Sequence, residues 1–97
     1  MSDQPSKIMR ITGNRVRELR LKSGRNQDVF AEMIGLSRSY LAGVESGKRN
    51  VTFNTFNKIL CGLGVTWKEF FDTPDFDHCV RNGDEKPTDY YWIERDY

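Results

Sequence analysis

Residues 36–50 read LSRSYLAGVESGKRN. Arg38 carries a planar guanidinium whose N–H groups can grip two acceptors of one flat partner, and Ser39 a hydroxyl that donates and accepts. Ala42 offers a lone methyl. Gly43 offers no side chain, at a helix cost of about 1 kcal/mol against alanine. Just past Gly47 come Lys48, Arg49 and Asn50, two cations and an amide. These types and spacings suit recognition by close approach, and no bond-making group is among them. Elsewhere the apparatus of catalysis is missing. The one histidine, His78, lies near the C-terminal end, so no Ser–His–Asp arrangement can be built. His78, Cys79 and Cys61 lack the paired spacing of a metal site. No Gly-rich phosphate loop follows a strand. The sequence therefore predicts no enzyme, no cofactor and no metal.

Short helices must position these residues. The pattern turns helical at Thr12, with Val16 and Leu19 on one face and Arg15, Arg17 and Arg20 around it, and Gly24 closes the segment. Asn26 can cap a second helix from Gln27, whose stripe is Phe30, Met33 and Ile34, ended by Gly35. Ser37 caps a third helix with Tyr40, Leu41 and Val44 on its inner face and Gly47 past its end. Thr52 caps a fourth, where Phe53, Phe56, Ile59, Leu60 and Leu63 repeat at helical spacing up to Gly64. Thr66-Trp67-Lys68-Glu69 is a capping box that opens a fifth. The expected fold is all-α, with five helices over residues 12–71, an irregular N-terminal arm at 1–11 and a tail at 72–97. Gly35-Leu36-Ser37 between the second and third helices has the spacing of a helix-turn-helix.

Net charge is +1 over 97 residues, which hides an asymmetry. Residues 1–71 hold 12 Lys and Arg against 6 Asp and Glu; residues 72–97 hold 3 against 8. A basic body with an acidic tail is what a nucleic-acid partner leads one to look for. No run of eighteen apolar residues and no apolar signal core appear, so no membrane contact is expected and the cytoplasm is the default compartment. The two cysteines are too few for a disulfide framework. The tail is acidic yet holds Phe76, Tyr90, Tyr91, Trp92 and Tyr97. Disordered segments are poor in aromatics, so part of it is expected to order, as short β or helix.

Asn26-Gln27 with Ala31, the Gly35-Leu36-Ser37 turn and Val44-Glu45-Ser46-Gly47 carry a resemblance. Across roughly residues 12–71 the chain resembles the Cro/lambda-repressor (XRE) type of helix-turn-helix transcriptional regulator, and SRSYLAGVESGKRN is similar to the recognition segment of restriction-modification controller proteins. The resemblance implies a lambda-repressor-like bundle, double-stranded DNA as partner, and a homodimer on a pseudo-palindromic operator. Arg38, Ser39, Ala42 and Gly43 would face the bases. Arg38 suits guanine O6 and N7, and Ala42 the thymine methyl. Asn26, Gln27, Tyr40, Lys48, Arg49 and Asn50 would reach phosphates, although Tyr40 reads equally as a packing residue. Arg20 and Glu45 match a structural ion pair that fixes the angle between helices. Trp67, Phe70 and Phe71, with Tyr91 and Trp92 of the tail, are candidate dimer or partner contacts, unless they serve the core. Two residues depart from the pattern: Val51 stands where proline is frequent, and Arg25 replaces an apolar residue. A different function is also open, an interaction module such as an antitoxin, whose tail would bind a protein partner while the helix-turn-helix autoregulates.

Overall fold

The computed structural model describes residues 6–81, with side chains as far as Asp77. Six helices follow one another: α1 (Lys7–Lys22), α2 (Gln27–Ile34), α3 (Arg38–Glu45), α4 (Phe53–Leu63), α5 (Trp67–Phe71) and α6 (Pro74–Arg81). The all-helical bundle matches expectation. Its caps do too: the side chains of Asn26, Ser37, Thr52 and Thr66 each accept from a backbone N–H in the first turn of their helix, and Thr66 and Glu69 form the reciprocal capping box.

Both ends of the chain correct the sequence reading. The helix expected from Thr12 starts at Lys7, so residues 7–11 are helical and not an irregular arm. Ser6 is the cap, its hydroxyl accepting from Met9 N at 3.2 Å. Gly13 lies in mid-helix. It is buried against α3, where an added Cβ would lie 2.2 Å from Val44 O. At the other end, Pro74 at the first helical position with Asp75 and Asp77 in the first turn opens α6. Phe76 of this sixth helix is 9% exposed, with its ring 4.7 Å from that of Phe71 and 5.9 Å from that of Phe70. The first turn of the tail is therefore part of the body. Residues 82–97, including Tyr91 and Trp92, lie outside the described residues.

One core holds the helices together. Val16, Phe30, Ala31, Leu41, Val44, Phe56, Ile59, Leu60, Phe70 and Phe76 are buried in it. All six helices contribute to it. α5 has only five residues and its last carbonyls need partners. Arg15 supplies them from α1, donating through Nε to Phe70 O (2.8 Å) and through Nη2 to Glu69 O (2.9 Å). No described helix is long and apolar enough to cross a membrane.

Candidate nucleic-acid interface

α2 and α3 are joined by a turn that the sequence dictates. Gly35 takes φ 76°, a left-handed conformation that favours glycine. Its N–H and that of Leu36 return to Glu32 O and Ala31 O, closing α2. Ser37 then opens α3 through its bond to Tyr40 N at 3.0 Å. The far end of α3 closes in the same way. Gly47 takes φ 81°; its N–H meets Val44 O at 3.0 Å, and Lys48 N meets Gly43 O at 2.8 Å. This double closure fixes where the basic residues 48–50 leave the helix.

Behind α3 lies a buried polar network. Arg20 of α1 grips Glu45 of α3 with both prongs, Nε to Oε2 at 2.7 Å and Nη2 to Oε1 at 2.9 Å. Its remaining nitrogen, Nη1, donates to Arg25 O at 2.7 Å. Gln27 Nε2 joins the same carboxylate at 3.0 Å from Oε1. The hydrogen bonds Arg20 donates to Glu45 raise its pKa above the ordinary value; burial opposes this and the Glu45 charge adds to it. The pair ties α1 to α3.

On the outer side the predicted residues part company. Arg38 and Ser39 are exposed at the start of α3, and Ala42 is half-buried. Lys48, Arg49 and Asn50 are exposed beyond its end. Asn26 is exposed, its Oδ1 engaged with Val29 N and its amide group pointing to no recorded partner among the described residues. Four assignments change. Gly43 does not present a bare backbone outward. A Cβ there would sit 2.5 Å from Arg49 Cγ, so the missing side chain makes room for the Arg49 stem. Tyr40 donates its one hydroxyl proton to Asn50 O at 3.0 Å, and the Arg49 guanidinium lies 5.7 Å from its ring centroid. A phosphate oxygen needs a donor, so Tyr40 holds the loop in place and contacts no phosphate through that proton. Gln27 is likewise turned inward to Glu45. Phe70, a candidate dimer contact, is fully buried.

Two neighbours were not anticipated. A polar cleft beside α3 is lined by Arg17, Arg20, Asn26, Gln27, Asp28 and Arg38. Asp28 lies in it 3.4 Å from Arg38. Only proximity in the fold joins them, since they are on different helices and ten residues apart. On the opposite flank of α3, Arg49 and Asn50 border an apolar groove walled by Ile8, Met9, Val51, Phe53, Trp67 and Phe71.

A helix-turn-helix family model matches residues 16–70, a stretch that spans every element of this interface. The chain belongs to that helix-turn-helix family, on the branch of the restriction-modification controller proteins. It is 43% identical over 60 residues to control protein C.MunI of a Mycoplasma species, covering 61% of this chain and 81% of that one. The crystal structure of controller protein C.AhdI from Aeromonas hydrophila superposes with TM-score 0.65 at 38% identity, over 68% of this chain and 100% of the other. That of C.Esp1396I, a tetramer in complex with its natural 35 base-pair operator, gives TM-score 0.68 at 26% identity, over 78% and 99% of the two chains. The chain is accordingly a DNA-binding transcriptional regulator, not an enzyme.

Proposed function

We propose that this chain reads a pseudo-palindromic operator as a homodimer, with α3 of each copy in the major groove and the two grooves about 34 Å apart. The observation that carries the reading is the exposure of Arg38 and Ser39 at the first turn of a helix braced from behind by the Arg20–Glu45 pair. Arg38 would take guanine, Ser39 a donor or acceptor beside it, and Ala42 a thymine methyl. Lys48, Arg49, Asn50 and the Asn26 amide would hold the flanking phosphates, which position the protein without reading sequence. The tetramer of C.Esp1396I in complex with its operator supports operator binding by an oligomer.

Arg38→Ala is expected to relax preference at one base pair of each half-site, at about 1–3 kcal/mol. Competition binding against singly substituted operators measures this. Uniform weakening on all of them would make Arg38 a phosphate contact. Lys48→Ala is expected to weaken every duplex alike and to flatten the plot of log affinity against log salt by about one unit. An unchanged slope removes Lys48 from the interface.

The apolar groove is the surface we assign to the dimer. Phe53 is 81% exposed, and Trp67 and Phe71 are each 39% exposed. Phe70 is excluded, being core. Phe53→Asp should leave the fold intact, since Phe53 lies outside the buried core and its ring meets the edge of the exposed Trp67 at 5.9 Å, and convert dimer to monomer in sedimentation. A dimer that persists would place the interface elsewhere. A protein partner held by residues 82–97 is tested by truncation after Arg81. Cutting at residue 72 would also remove Phe76 from the core.

A further inference from the structure

The polar cleft beside α3 holds one residue of the wrong sign. Asp28 is the single acid among its lining residues, with 70% of its side chain exposed. An acid on a surface built to meet phosphates weakens binding to every duplex, because it repels the backbone and opposes the neighbouring cations. Its place in the first turn of α2 is favourable to that helix, but many polar residues would start the helix as well without facing DNA.

The geometry gives Asp28 a task. Its Oδ1 lies 3.4 Å from Nε of Arg38, and the Arg38 side chain is 65% exposed. An ion pair so exposed stabilises the fold little. It does place the carboxylate against the Nε edge of the guanidinium. With Nε facing the carboxylate, the two Nη groups are left for a second partner, and that end-on pair spans guanine O6 and N7. Arginine otherwise has a long flexible stem, and ordering it on binding lowers affinity. An unrestrained Arg38 could also settle on a phosphate, which any sequence supplies. The Asp28 carboxylate restrains the arginine and repels that phosphate from the same spot.

We propose that Asp28 is a positioning residue for Arg38, trading general DNA affinity for discrimination at the base that Arg38 reads. The proposal rests on the reading of Arg38 as a base contact. It makes two opposite demands of one neutral substitution, Asp28→Asn.

The test uses the full chain and its selected operator, with guanine or another base at the position that Arg38→Ala relaxes. Asp28→Asn is expected to bind random duplex more tightly, by about three- to tenfold at low salt. Its preference for guanine at that position is expected to fall by about three- to tenfold. In the Arg38→Ala background, Asp28→Asn should still tighten random binding and should no longer change any base preference. Thermal melts of each variant check folding. Tighter binding to all duplexes with preference intact would overturn the proposal and leave Asp28 a repulsive charge only. A changed preference at a different base pair would also overturn it, making Asp28 a reader in its own right. If Arg38→Ala alone changed no base preference, the proposal would fall together with the reading of Arg38. That outcome is told apart because it appears with Asp28 untouched.

Discussion

Glu45→Ala is expected to destabilise the fold by about 3–5 kcal/mol, the range for removing one partner of a buried ion pair. The Arg20 guanidinium left behind is 5% exposed. It would lose two of its three hydrogen bonds, keeping only that to Arg25 O, and the Gln27 amide would lose its acceptor. For a domain of this size the loss corresponds to a fall in Tm of roughly 12 °C or more. Urea titration of wild type and variant measures it. Replacing both charges, as in Arg20→Met with Glu45→Leu, should restore much of the stability, because the pair's worth lies mainly in neither partner being left alone. Surviving Glu45→Ala protein should choose the same operator. A loss under about 1 kcal/mol, the size of an exposed pair, or a new operator preference would contradict the structural role given to Glu45.

Gly13→Ala is the second large effect. Alanine normally improves a helix interior by about 1 kcal/mol over glycine. Here the added methyl would lie 2.2 Å from Val44 O and 2.7 Å from Glu45 O. Those atoms are backbone, so no side chain can swing aside. α1 and α3 must separate, and with them the Arg20–Glu45 contact. Overpacking of this kind carries a penalty near 3 kcal/mol, the top of its usual range. The sign is the test, since helix propensity and packing point in opposite directions. A Gly13→Ala protein that melts higher than wild type would show that α1 does not approach α3 this closely. Gly43→Ala makes a useful contrast, because its neighbour is the flexible Arg49 side chain and a much smaller change is expected.

These particulars show what a sequence reveals. Start and stop signals are local, and they were legible: Asn26, Ser37, Thr52, Thr66, Gly35 and Gly47 act where their chemistry placed them. So was the exposure of Arg38 and Ser39, which follows from Leu41 and Val44 facing the core. Ser6 carries the same capping chemistry as the others, yet α1 begins there and not at Thr12, and the close approach of Gly13 to α3 has no local signal. Longer-range contacts were not legible. Gln27 and Tyr40 are polar residues that suit a phosphate by type, yet Glu45 takes one amide proton of Gln27 and Asn50 O takes the hydroxyl proton of Tyr40, each from ten or more residues away. Gly43 has the same explanation, since nothing in its neighbours predicts the return of the Arg49 stem. The Asp28–Arg38 pair is of this kind too, joined by the turn and not by spacing.

The central claim is that Arg38 and its neighbours on α3 read a two-fold symmetric sequence. Selection of bound duplexes from a random pool, at two salt concentrations, tests it most directly. A symmetric motif is expected, with half-sites centred about one helical turn apart. One guanine in each half-site is expected to disappear when the selection is repeated with Arg38→Ala. Weak, salt-sensitive binding to every duplex with no enriched motif would contradict the claim.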